Sequence, residues 1–271
     1  MLVSAPPRPG LLEGPLRFQR HLDRCLATRV GETPWGAVIH RDDLPRVWDL
    51  NVVLVERAPP GLYATALMAR AERLQAGLPQ RAIRVDHEEA APDLVPHFAA
   101  AGWKVQRTVV MVLRRGPTKL IDSSAAAEVG VDQIQSAREA AIGHIYRDHE
   151  IAAQLVAAGA IQHPEARVRA FAAMVGREVA AYCLLRIGDG GSKLVEVQAL
   201  PLSQGHSLGR ATIWAAVLAA RRERAKPIFV ECRDEQWEKA VYRRLGFDEV
   251  GAVYRFIRPW TEPESVPILQ Y

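Results

Sequence analysis

Cysteine is scarce in this sequence. Three residues, Cys25, Cys183 and Cys232, are scattered over 271 positions with no CxxC pair. An odd and dispersed set argues against a disulfide framework or a thiolate zinc site. Cys183 and Cys232 sit in apolar, strand-like runs and read as inert core thiols. Long hydrophobic runs are also missing: none reaches the roughly 18–20 residues that cross a bilayer. The opening MLVSAPPRPGLLEGP has early prolines and no uninterrupted apolar stretch, so no signal peptide is expected. Residues 1–15 are expected to form a flexible leader, and cytoplasm is the expected compartment. Neither sign of charge dominates. The formal net charge of +4 suits an anionic ligand and would also suit RNA.

What is present is the composition of a folded globular protein, 49% apolar and 24% charged. In the first half, hydrophobic spacing predicts a helix over Leu16–Ala27 and extended segments at Trp35–His40 and Asn51–Glu56. Gly61–Gln75 reads as a helix, Arg81–Val85 as a strand, Asp93–Ala101 as a helix and Lys104–Leu113 as a strand. Gly116–Pro117 punctuates the chain and marks a linker. In the second half, helices are predicted over Val131–Ile145 and Ile151–Ala158, with Gly159 as a cap. Strands follow at Arg167–Val175, Glu178–Ile187 and Leu194–Leu200, joined by Gly176 and by the Gly188-Asp-Gly-Gly191 turn. A helix over Leu208–Arg224, a strand at Ile228–Cys232, a helix at Glu235–Leu245 and a strand at Glu249–Ile257 complete the pattern. Strands and helices alternating in this way predict an α/β sheet, divided into units 16–117 and 118–271.

The two units share a repeat. Phe98-Ala-Ala-Ala-Gly102-Trp103 and a Val-rich strand match Tyr242-Arg-Arg-Leu-Gly246-Phe247 and the strand beyond it. Each reads as helix, left-handed glycine cap, aromatic residue, strand.

Chemistry concentrates between Leu194 and Thr212. A buried strand ends at Pro201, a polar turn follows, and a long helix starts near Leu208. The first N–H groups of such a helix lack internal partners and, with the helix dipole, suit a pyrophosphate. Gly205 and Gly209 remove side chains where an anion must approach the backbone. Taken alone, the segment is also an ordinary strand–turn–helix join.

Its surroundings sharpen the reading. Gln204-Gly205-His206-Ser207-Leu208-Gly209 resembles the cofactor motif of the Gcn5-related N-acetyltransferase (GNAT) superfamily, Arg/Gln-x-x-Gly-x-Gly/Ala, with Ser207 in place of the first motif glycine. Trp237-Glu-Lys-Ala-Val-Tyr242-Arg-Arg-Leu-Gly-Phe247 is similar to the family's late helix, with Glu235 where an asparagine is common. Asp234 and Trp237 resemble an actinobacterial variant of that helix.

The resemblance covers about residues 120–259 and implies an α/β fold: a GNAT-like mixed central sheet flanked by helices, in two tandem GNAT-like units. It implies acyl transfer from acetyl-CoA or another acyl-CoA to an amine of a small molecule or peptide, without a metal. The donor would lie along the backbone of Val197, Ala199 and Leu200 and on Gln204, Gly205, His206, Ser207, Leu208, Gly209 and Arg210. Tyr242 would protonate the departing thiolate, a role open to a phenol of ordinary pKa near 10. Glu196 reads either as the carboxylate that deprotonates the amine or as a salt-bridged structural residue. Alternation along its strand places it on the face of Gln198 and Leu200, opposite Val195 and Val197. Two other readings keep the fold: an aminoacyl transferase using charged tRNA, and a non-catalytic binding module.

The first unit looks degenerate. It carries Phe98 where the second has Tyr242, and Arg57-Ala-Pro-Pro-Gly61 where phosphate-binding N–H groups would be needed. His87-Glu-Glu89 is expected to open a helix, and Asp148-His149-Glu150 lacks the second cluster that a metal site would need. Arg221, Arg222, Arg224 and Lys226 complement the end of the long helix, and Trp48 and Trp103 are expected to pack in the core or between units.

Overall fold

Phe18, Leu22 and Leu26 recur at helical spacing, and all three are buried together with Leu16. They form the inner face of helix α1 (Glu13–Leu26). The helix starts three residues earlier than predicted and takes Pro15 into its first turn, where a missing N–H leaves no bond unmade. The computed structural model describes residues 10–59, 61–201, 207–234 and 236–258.

After α1 come β1 (Arg29–Thr33), β2 (Gly36–His40), β3 (Val52–Val55), α2 (Ala64–Leu74), β4 (Arg81–Val85), α3 (Ala91–Ala100) and β5 (Lys104–Leu113). The second half contributes β6 (Ala126–Val129), α4 (Gln135–Ile145), α5 (His149–Ala160), β7 (Ala166–Val175), β8 (Glu178–Gly188) and β9 (Gly191–Ala199). It closes with α6 (Leu208–Arg222), β10 (Ile228–Arg233), α7 (Gln236–Arg244) and β11 (Phe247–Arg258). Strands β1 and β6 were not anticipated. Both are edge strands, short and largely exposed, so their composition carries little apolar signal.

All the strands join one mixed sheet in the order β1-β2-β3-β4-β11-β5-β10-β9-β8-β7-β6. Within each half one pair is parallel, β3 with β4 and β9 with β10. The centre of the sheet is an exchange. β11, the last strand of the second half, pairs with β4 of the first. β5, the last strand of the first half, pairs with β10 of the second. The two exchanged strands pair antiparallel with each other, from Phe247↔Leu113 to Ile257↔Lys104.

Each core therefore borrows from the other half. Val109 and Met111 of β5 lie in the cluster built by α6, β10 and α7. Phe256 of β11 lies with Val53, Leu67, Ile83 and Phe98 of the first half. Helix α1 covers the seam, packing Phe18 edge-on against Phe229 at 5.7 Å and joining Val110, Val112 and Val253. The two halves, divided near residue 117 on the sequence, share one sheet and are not separate in space.

The predicted repeat is present in three dimensions. Gly102 and Gly246 both have positive φ, 76° and 95°, directly after α3 and α7. At Gly246 a side chain is also barred sterically, because a Cβ would lie 2.5 Å from the Arg115 carbonyl oxygen.

Two helical layers cover the second half of the sheet. Ala170, Ala172, Tyr182 and Leu184 face α4, while Phe171, Cys183 and Leu185 face α6. Alternation along β7 and β8 produces this division.

Candidate active site

Strands β9 and β10 pair only from Ile228↔Ser192 to Val230↔Leu194. Beyond Leu194 they part, and among the described residues the remainder of β9 pairs on one side only, with β8. The opening coincides with an irregularity in β9. Leu184 faces Val195 and Tyr182 faces Gln198, so two residues, Glu196 and Val197, stand opposite Cys183 alone. This is a β-bulge. Glu196 adopts φ = 46°, an uncommon conformation for a residue with a side chain.

The bulge corrects the predicted facing. Val195 packs on the α4 side and Val197 on the α6 side. Glu196 also points to the α4 side, where Arg138 of α4 meets it with two hydrogen bonds, Nε to Oε2 at 2.7 Å and Nη2 to Oε1 at 2.8 Å. Arg138 is completely buried and donates a third bond to the Val156 carbonyl at 2.7 Å. A strained backbone at one residue costs of order 1–3 kcal/mol. The bidentate pair holds the strain in place, since opening it would leave a buried guanidinium without its anion. Of the two readings of Glu196, this geometry favours the salt-bridged one.

Gly159, expected as a helix cap, lies inside α5 and serves close approach. A Cβ there would fall 1.7 Å from Glu196 Oε1 and 2.3 Å from Arg138 Nη2.

On the α6 side, the parting strands enclose a cavity of about 190 Å3 lined by Val197, Gly209, Arg210, Ile213, Cys232, Trp237 and Tyr242, among others. Helix α6 begins here, with Ser207 at its N-cap making no side-chain cap bond and no acidic residue in the first turn. Tyr242 is 8% exposed and stands edge-on to Phe247 at 5.8 Å. The site thus unites Glu196, Val197, Gly209, Arg210 and Tyr242 around one opening. Ser207 and Leu208 sit at the mouth of the helix. Ala199 is paired with Ala181, and Leu200 donates to the Ala180 carbonyl at 2.8 Å, so both extend the β8 pairing past the cavity. Gln204, Gly205 and His206 lie outside the described residues.

A second cavity, of about 420 Å3, adjoins the first and shares Leu194, Val195, Glu196, Glu231, Cys232 and Glu238 with it. Its other walls come from both halves: Trp48, Asp49, Gln106 and Thr108 from the first, Tyr146, Lys193 and Arg255 from the second. Trp48 and Tyr146 meet with ring centroids 5.9 Å apart. Burial, then the nearby Asp49 carboxylate, pushes the Tyr146 phenol up to about 12.

The floor of this cavity is a charge network that was not foreseen from the sequence. Glu231 lies 3.1 Å from Lys193 Nζ and 2.7 Å from Arg255 Nη2. Burial would raise its pKa, but Lys193, Arg255 and Arg84 outweigh burial and hold the carboxyl far below the usual carboxylate range. Lys193 also donates to Gln19 Oε1 at 2.6 Å, and Arg255 to Asp49 Oδ1 at 3.0 Å. The available signal was a charge inside each of three apolar strands, since such a charge needs a partner.

Cys232 borders both cavities. Burial is the first cause that pushes its thiol up to about 12, so the thiolate is scarce near neutral pH. The Asp148-His149-Glu150 segment plays a structural part. Asp148 caps α5 by accepting from the Glu150 and Ile151 N–H groups, and Arg46 pairs with Asp148 at 2.6 Å.

The first half offers a wider groove of about 840 Å3 at the place equivalent to the smaller cavity, bordered by Pro59, Tyr63, His87, Asp93 and His97. There β3 pairs with β2 without a bulge. Phe98, the counterpart of Tyr242, is fully buried and stacks on Phe256 at 4.1 Å.

No protein-family model matches the sequence, and no curated protein is detectably similar to it. Solved structures are similar in fold. A GCN5-related N-acetyltransferase from Kribbella flavida superposes with a TM-score of 0.65 at 17% identity, over 94% of this chain and 98% of that one. A conserved protein of unknown function from Staphylococcus epidermidis gives 0.63 at 12% identity, over 86% and 94%. A tandem GNAT protein from the clavulanic acid biosynthesis pathway gives 0.54 at 13% identity, over 92% and 88%. The mixed sheet, its flanking helices and the repetition of the unit along the chain agree with these likenesses: the protein has the GNAT fold in its tandem form.

Proposed function

We propose that the chain is an N-acyltransferase that moves an acetyl or longer acyl group from CoA to an amine. The observation that carries this reading is the meeting of the bulged strand, the start of α6 and Tyr242 around one opening between parted parallel strands. An extended pantetheine arm fits the unpaired side of β9, where peptide groups can hydrogen-bond as an added strand would. The first-turn amides of α6 suit the pyrophosphate.

The acceptor amine enters from the larger cavity and attacks the thioester carbonyl near the bulge. The C–N bond forms, the C–S bond breaks, and Tyr242 gives its proton to the departing sulfur. The acceptor nitrogen loses its proton toward the larger cavity, which holds the Asp49 and Glu238 carboxylates. Glu196 acts as a positioning residue that fixes the bulge through Arg138. The high pKa of the Cys232 thiol supports direct transfer over an acyl-cysteine intermediate.

Parallel thermal-shift titrations with acetyl-CoA, a longer acyl-CoA and charged tRNA test the donor. A ligand at about a hundred times its Kd adds roughly 2.7 kcal/mol, a shift of several degrees. Stabilisation by an acyl-CoA is expected; stabilisation by charged tRNA alone would reject the reading.

A further inference from the structure

Away from the two cavities, three side chains of metal-binding type converge. His21 and Cys25 stand one turn apart on α1, and Glu165 reaches them from the connection between α5 and β7. His21 Nε2 lies 3.3 Å from Glu165 Oε2 and 3.4 Å from Cys25 Sγ. Cys25 Sγ lies 3.9 Å from the same carboxylate oxygen. A tetrahedral zinc ion, with bonds of about 2.0–2.3 Å to nitrogen, oxygen and sulfur, sets its ligands about 3.3–3.6 Å apart. The three atoms already lie close to that spacing. An ion pair between His21 and Glu165 would account for two of the groups, but not for the thiol turned toward both.

We propose that His21, Cys25 and Glu165 form a zinc site, with water in the fourth position. The dispersed cysteines argued against a zinc site built from thiolates, but here a single thiolate joins a neutral imidazole and a carboxylate, a donor set of intermediate softness that suits this metal. The supporting frame is rigid. Buried Arg186 donates to the carbonyls of Ala158, Gly159 and Ile161, which fixes the chain leading to Glu165. The Glu165 carbonyl oxygen sits where only the glycine at 188 leaves room, 2.1 Å from the place of a Cβ. On the other side, α1 is anchored by its buried apolar face and by Gln19, which holds Lys193. Glu165 itself is 64% exposed, so a metal ion and its water can enter from solvent. Bound zinc would fasten α1, which seals the seam, to the second half of the chain. The proposal is independent of the acyl-transfer reading.

The full chain, freed of metal by a chelator and kept reduced, is titrated with Zn2+ and separately with Co2+. One zinc per chain is expected, together with a rise in Tm of a few degrees at about a hundred times Kd. Co2+ should show the strong visible absorption of a tetrahedral ion and a thiolate charge-transfer band that Cys25→Ser removes. His21→Ala and Cys25→Ser should each weaken zinc binding at least about 100-fold, since even groups that only orient a ligand are worth 10–100-fold. Glu165→Gln, on an exposed side chain, gives the same comparison in a variant whose folding is not in question. Absence of zinc binding, an octahedral cobalt spectrum, or equal zinc affinity in all three variants would overturn the site.

Discussion

Arg138 and Glu196 are joined by two hydrogen bonds, 2.7 and 2.8 Å long, across the point where β9 bulges and leaves β10. The pair is accommodated because residue 159 has no side chain. Gly159→Ala should therefore push the pair apart and destabilise the protein by about 1–3 kcal/mol, as overpacking of a tight site does. A Tm lowered by about 2–10 °C is the expected readout. Glu196→Gln keeps the shape and removes the anion from a buried arginine. It should lower kcat/KM at every pH while leaving the shape of the pH profile unchanged. Loss of an acidic limb from that profile would instead make Glu196 the base.

Tyr242 lines the smaller cavity and packs on Phe247, so Tyr242→Phe removes the hydroxyl with little change in packing. Turnover should fall by about 10²–10⁴, the usual worth of a general acid, with little change in acyl-CoA affinity. Steady-state kinetics beside a binding titration separate the two effects. Unchanged turnover removes Tyr242 from the mechanism.

The exchange of β5 and β11 makes the halves interdependent. A fragment of residues 118–271 lacks β5, which pairs with both β10 and β11 and supplies Val109 and Met111 to the second core. That fragment should show no cooperative unfolding transition, and mixing or co-expressing it with residues 1–117 should restore one. Circular dichroism melts of each fragment and of the pair provide the check. Met111→Ala in the full chain should cost about 2–5 kcal/mol.

Glu231 carries a definite sign for pH. Lys193, Arg255 and Arg84 overcome burial and depress its pKa in the folded state below the ordinary carboxyl value of about 4.3. The stabilisation from this group is fully present above that value and is lost as pH falls toward the depressed one. Glu231→Gln should destabilise the protein at neutral pH by about 3–5 kcal/mol, because two buried cations lose their shared partner. The difference between wild type and variant should shrink as pH drops below about 4, measured by denaturant unfolding across pH.

Local signals in the chain were sufficient for most elements. The apolar runs of β4 and β5 mark both strands at their observed limits, Arg81–Val85 and Lys104–Leu113, and the glycine caps at 102 and 246 announce the helix ends. The resemblance of the turn at residues 204–209 and of the helix carrying Tyr242 to the GNAT motifs was enough to suggest the fold. The strands and glycine caps depend on neighbours within one or two turns of helix or one strand, which a sequence displays directly.

The remaining features depend on partners far apart in sequence. Arg138 and Glu196 are 58 residues apart, and no periodicity links them. The bulge puts Val195 and Glu196 on the same side of the sheet, where strict alternation would part them, and it is set by the register with β8. The exchange of β5 and β11 could not be read from either strand, because each carries a continuous buried run that suits a central position in either half. Local composition marked most of the helices and strands, the exposed edge strands β1 and β6 excepted. The folded chain alone determined which strand pairs with which and which charges meet, because pairing is a competition among distant segments that local composition does not rank.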